Sequence, residues 1–177
     1  IIQKDSLKIG LEIIFFDVED YGAPNYNSSF SDLQAMNDTW CLGSQFWSYN
    51  LPENYQKPNF GILLDMVGAK NAIFPKEEIS RMYAGYHLNK IWKLGQYLGY
   101  GSFFKNKIAP PLTDDHTYIN ELTQIPTLDI IHYEVSPFTN RFDFGKFHHT
   151  HKDNMEIIDR QTLKAVGQTV LTYLYNN

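Results

Sequence analysis

The sequence predicts an α/β protein, a three-layer sandwich with a mostly parallel central sheet and helices on both faces. Three observations predict it. Apolar runs of strand length recur at residues 11–18, 60–67 and 127–133, and helical periodicity marks residues 76–98 and 160–175 between and after them. The runs are nearly continuous rather than alternating, as in strands covered on both faces. With 177 residues, a single domain spanning 1–177 is expected.

The first run, LEIIFFDV at 11–18, ends on Glu19 and Asp20. From 22 to 39 the composition turns to Asn, Ser, Asp, Pro and Gly, which is loop chemistry. A loop of that length is often functional when ordered. A short helix is expected at 41–49, then a polar connection with two prolines. The run FGILLDMV at 60–67 reads as a buried strand with Asp65 inside it, an expensive place for an acid unless it is paired or bound. Residues 76–98 form the longest helical pattern, with Ile79, Met82, Tyr83, Tyr86, Leu94 and Leu98 at helical spacing and Glu77 and Glu78 in the first turn. A turn at Ala109-Pro110-Pro111 leads to Asp114-Asp115-His116, where a short helix begins. TLDIIHY at 127–133 is the third strand, and Asp159 is placed to cap a last helix whose expected apolar face is Leu163, Val166, Val170, Leu171 and Leu174.

Composition excludes several classes. Fifteen basic against twenty acidic residues leave a formal charge of -5, and no Lys/Arg stripe is present, so nucleic acid is not an expected partner. No apolar stretch reaches the length of a membrane span. The single Cys41 rules out an internal disulfide and a cysteine zinc cluster. There is no GxGxxG, Walker or GxSxG sequence, which removes the common phosphate loops and the serine elbow.

Four constellations remain. Glu19-Asp20 reads either as solvated charge at a strand end or as a general acid/base beside a metal ligand, because neighbouring residues leaving a strand can point to different sides. His148-His149-Thr150-His151 reads as a solvated turn or as a source of imidazole ligands. Asp114-Asp115-His116 reads as a helix cap or as site acids. Asp65 reads as a buried acid held by backbone donors or as part of the same site. Sheets of this kind place ligands beyond the carboxyl ends of their strands, where Glu19, Asp20 and the residues after Tyr133 are expected. Trp40, Trp47 and Trp92 read as packing residues, and so does Cys41.

Five ordered motifs, FFDVEDYG (15–22), WCLGSQFW (40–47), GILLDMVGAKNAIFP (61–75), TDDH (113–116) and HHTHKDN (148–154), resemble the glutaminyl cyclases of bacterial type, which belong to the zinc aminopeptidase-like clan. The resemblance implies one zinc ion per active site. It implies Glu19 as catalytic acid/base, with Asp115 and Asp65 as acids of the adjoining hydrogen-bond network, and Asp20 and His149 as metal ligands. His148 stands where many relatives carry Trp, so His148 and Trp40 are expected to line the substrate pocket. The third zinc ligand is expected upstream of this chain, which is therefore read as a carboxyl-terminal part with N-terminal strands missing, weak in zinc binding and inactive by itself. The implied activity is cyclisation of an amino-terminal glutamine of peptides or proteins to pyroglutamate with release of ammonia, in a periplasmic or secreted setting. A zinc aminopeptidase of the same fold is the alternative, and a noncatalytic binding domain the second alternative.

Overall fold

The computed structural model describes residues 7–20, 22 and 39–176; the loop expected over 22–39 lies, apart from its ends, outside them. Two parallel strand pairs form the centre. Strand β1 (Gly61–Asp65) pairs in parallel with β4 (Thr127–Ile131), Gly61 opposite Thr127 and Asp65 opposite Ile131. Strand β2 (Phe74–Glu77) pairs in parallel with β3 (Phe104–Ala109), with a register shift between Phe74 and Lys76. The N–H of Tyr133 donates to Ile73 O at 3.0 Å and joins the two pairs. Strands β5 (Glu134–Val135) and β6 (Phe142–Asp143) form a small antiparallel hairpin after β4.

Four α-helices flank these strands: α1 (Leu42–Tyr49), α2 (Glu78–Tyr97), α3 (Asp115–Thr123) and α4 (Arg160–Tyr175). The caps follow the sequence closely. Asp114 and Thr117 make a capping box at α3, and Asp159 accepts the Gln161 N–H at α4. The main core gathers Phe74, Leu88, Ile91, Trp92, Phe104, Leu128 and Ile130, and the Trp92 indole donates to Phe74 O at 3.0 Å, which satisfies its one polar atom.

Five expectations are corrected. Residues 11–18 form no strand; Ile13 is 71% and Phe15 92% exposed, because among the described residues no neighbouring strand supplies the hydrogen bonds and cover that a strand requires. The expected helix start at 76 is instead the end of β2, and Glu77 is the cap of α2, its carboxylate accepting from the N–H groups of Ile79 and Ser80. The buried face of α2 is Ser80, Ala84, Leu88, Ile91, Trp92 and Gly95, while Met82 and Tyr86 point outward. Small residues let the helix lie close to the strands, and a break from helical backbone at Ala84 rotates the faces before and after it. On α4, Leu163 and Leu171 are exposed and Thr162, Ala165, Val166, Thr169, Tyr173 and Leu174 are buried. Thr162 and Thr169 can be buried there because their hydroxyls donate to Ala69 O and Ala165 O.

Strand β1 is also less enclosed than expected, with Leu64 46% exposed. Strands β2 and β3 carry too little apolar sequence to announce themselves: FPKE contains a proline and two charges, and FKNKIA exposes its middle residues.

Candidate active site

The carboxyl-terminal end of the 11–18 segment is locked onto the start of α1. Cys41 N–H donates to Glu19 O at 2.9 Å and Leu42 N–H to Val18 O at 3.2 Å. Gly43 makes this approach possible, since a Cβ there would collide with the Asp17 carbonyl. Val18, β-branched, is held at a φ of 54°, a strained conformation for such a residue. The result fixes where Glu19 and Asp20 leave the segment.

From the other end of the chain, the turn after β6 brings in His149. Gly145, with a φ of +89°, closes that turn over His132; His148 N–H donates to Gly145 O, and Thr150 N–H to Phe147 O. His149 stacks on His148 at 3.7 Å between ring centroids, and His148 in turn meets Phe144 at 4.8 Å. At the end of this column His149 Nε2 lies 2.8 Å from Asp20 Oδ1. Both side chains are more than half exposed, so the pair opens to solvent.

Behind the pair the acids crowd. Burial, followed by the charges of Asp20, Asp65 and Asp115, pushes Glu19 up to about 8. Asp65, at the carboxyl end of β1, is pushed up to about 6, chiefly by burial. Asp115 is raised by burial, against hydrogen bonds from Ser44 and Cys41 that favour its charge. The Cys41 thiol is fully buried, contacts Glu19 Oε1 at 3.9 Å, and is pushed up by burial and by the surrounding carboxylates. It therefore stays a thiol, in keeping with a packing role. Trp40 lies against Gly22, just after the Glu19-Asp20 pair in the chain.

Thus Glu19, Asp20, Asp65, Asp115 and His149 are brought together, His148 stands behind His149, and Trp40 packs at the mouth of the same segment. Asp129 and Glu77 were not singled out by the sequence as site residues, and Asp114 was named only within the Asp114-Asp115-His116 constellation, as a cap or a site acid. Asp129, inside β4, is 1% exposed and raised well above its ordinary value by burial and by Asp114, Asp65 and Glu77. Asp114 does more than cap α3, because it faces Asp65, Asp115, Glu19 and Asp129. Glu77 pairs with the buried His116 at 3.1 Å. An acid within an apolar strand was the available signal for Asp129, as it was for Asp65.

Parallel strands backed by helices, with a carboxylate oxygen and an imidazole nitrogen meeting beside a cluster of raised carboxyl groups, define an α/β fold with a polar cluster near the carboxyl end of β1. The family comparison makes it particular: Peptidase family M28 matches residues 1–174, and the chain belongs to that family. Among solved structures, it is similar to a Zn-dependent exopeptidase from Parabacteroides distasonis (45% identity, TM-score 0.81, covering 92% of this chain and 53% of that one). It is likewise similar to the glutaminyl cyclase of Tannerella forsythia (45%, TM-score 0.80, 92% and 53%) and to that of Porphyromonas gingivalis (43%, TM-score 0.83, 97% and 55%). The chain spans about half the length of these structures. No match is found among curated proteins.

The family implies zinc, and the donor set fits it. A carboxylate oxygen and an imidazole nitrogen meet at hydrogen-bond distance without a thiolate, and a catalytic zinc takes three such ligands and keeps one position open. Asp20 and His149 are two suitable ligands among the described residues.

Proposed function

We propose that this chain carries the acid/base and two metal ligands of a zinc-dependent glutaminyl-peptide cyclotransferase acting on peptides or proteins with an amino-terminal glutamine. The observation that carries the reading is the convergence of Asp20 and His149, at 2.8 Å, beside the half-buried Glu19. The similarity to two glutaminyl cyclases supports it.

In the reaction the substrate's own α-amine attacks its γ-amide carbon, a lactam bond forms, and the side-chain nitrogen leaves as ammonia. When zinc is bound by Asp20 and His149 it supplies Lewis-acid polarisation of the γ-carbonyl. Glu19 takes a proton from the attacking amine and delivers one to the leaving nitrogen, so no net proton is consumed. Asp65 and Asp115, both close enough to raise the Glu19 proton affinity, hold that carboxyl in place. Trp40 and His148 wall the pocket in which the glutamine side chain must fold back on its amine, the positioning on which ring closure depends.

A second reading, hydrolysis of amino-terminal residues, is favoured by the similarity to a Zn-dependent exopeptidase; there Glu19 would take its proton from water. The full-length protein offered a Gln-initiated and a Leu-initiated peptide separates the two. Ammonia from the first with the second intact is the expected result, and cleavage of the Leu peptide without ammonia would make the protein a peptidase.

A further inference from the structure

Next to the acids already described lies a group that the proposed reaction does not use. Asp114, His116 and Asp129 are 3%, 0% and 1% exposed, and their ligand-capable atoms all lie within 4.8 Å of one another. Apart from the facing carboxyls of Asp114 and Asp129, which could bond to each other by sharing a proton, Asp114 Oδ2, His116 Nδ1 and both oxygens of Asp129 find no hydrogen-bond partner among the described residues. Four such atoms at one buried point are exceptional, since buried polar atoms are almost always satisfied.

The orientation of His116 is set from behind. Its Nε2 lies 3.1 Å from Glu77 Oε1, and the same carboxylate accepts the Ile79 N–H at 2.8 Å and the Ser80 N–H at the start of α2. A carboxylate that accepts two backbone N–H groups is an acceptor toward the ring as well, so Nε2 carries the hydrogen and Nδ1 presents a lone pair. A carboxylate that orients the far nitrogen of a histidine is the usual backing of a metal-binding imidazole. The near nitrogen, Nδ1, stands 3.9 Å from Asp129 Oδ2. That is too long for a direct hydrogen bond, whereas two bonds of about 2.0–2.2 Å to one ion span it.

We propose that Asp114, His116 and Asp129 form a second, buried site for a divalent cation, zinc by its nitrogen and oxygen donors, in addition to the Asp20–His149 pair. Two carboxylates and one divalent ion leave the point neutral, which removes the cost of burying the two charges unpaired. The ion ties β4 to the first turn of α3 and, through Glu77, to α2. It also fixes the Asp114 carboxyl that neighbours Glu19 and Cys41. This assignment stands whether the enzyme is a cyclase or a peptidase.

The test uses full-length protein stripped with a chelator, reloaded with Zn2+ and dialysed, with metal content measured by mass spectrometry. The double variant Asp20→Asn, His149→Gln is expected to keep an equivalent of zinc and to melt at higher temperature with zinc than without. X-ray absorption of that bound zinc is expected to show nitrogen and oxygen neighbours. Adding Asp129→Asn is expected to abolish the remaining binding. A folded double variant that holds no zinc overturns the site and leaves Asp114 and Asp129 as a pair sharing protons. A sulfur neighbour in the absorption spectrum would move the ion to Cys41 and overturn it equally. Neither result bears on turnover of Gln-initiated peptide by the unsubstituted protein, so the two proposals fail separately.

Discussion

His149 Nε2 lies 2.8 Å from Asp20 Oδ1 although the two residues stand 129 positions apart in the chain. The contact joins the segment that precedes α1 to the turn that follows β6. Each side is held by its own device: backbone hydrogen bonds from Cys41 and Leu42 on one, and the stacked rings of Phe144 and His148 on the other.

If this pair binds the active-site zinc, Asp20→Asn or His149→Ala weakens zinc binding by at least about a hundredfold, since even an outer-shell change costs about 10–100-fold. Competition against a chromogenic chelator measures it. An unchanged affinity for both variants would dismiss the pair as ligands.

Glu19→Gln removes the proton carrier while leaving Asp20 and His149 untouched. Ammonia release from a Gln-initiated peptide is expected to fall by about 10²–10⁴-fold, with zinc affinity nearly as before. Activity within a fewfold of the parent would remove Glu19 from its role.

Gly145→Ala places a Cβ 3.0 Å from Phe147 and 3.1 Å from His132, at a φ of +89°. The variant is expected to lose about 1–2 kcal/mol of stability and, because the same turn presents His149, to bind zinc more weakly. Denaturant melts together with the chelator assay test both; a variant as stable as the parent would show that the turn tolerates a side chain.

His132, which lies under the turn that presents His149, gives a pH signature of its own. It is 3% exposed, its Nδ1 already accepts the Ile73 N–H at 3.0 Å, and burial lowers its pKa from 6.5. Below about pH 6.5 the unfolded chain takes up a proton that the folded chain refuses, so stability falls as pH drops through that value and is unaffected above it. Thermal melts between about pH 8 and about pH 5 should show the loss, reduced in His132→Asn, whose side-chain oxygen can still accept from Ile73. Equal pH slopes for parent and variant would clear His132 of the effect.

Cys41 is expected to resist iodoacetamide in the folded protein and to react once denaturant is added, because the buried thiol is held protonated by its acidic surroundings. Mass spectrometry of the alkylated protein decides it, and rapid labelling of the native state would contradict the packing role.

Much of this could be read from residue order alone. The α/β class followed from apolar runs alternating with helical spacing, and the caps Asp114 and Asp159 from local chemistry that acts within a few residues. The motifs carrying Glu19, Asp20, Asp65, Asp115 and His149 singled those residues out as candidates. What the sequence could not decide were properties that depend on distant neighbours. Residues 11–18 have the composition of a buried strand and yet stand exposed, because a strand exists only through the partner that completes its hydrogen bonds. The faces of α2 and α4 were misjudged for a related reason: burial rewards close approach, so Ser80, Ala84, Gly95 and Thr162 face inward while Met82, Tyr86 and Leu171 do not. The meeting of Asp20 with His149, and of Asp114, His116 and Asp129 at one buried point, was settled by tertiary structure alone, since electrostatic and metal-ligand interactions act through space over a few ångströms and take no account of separation along the chain.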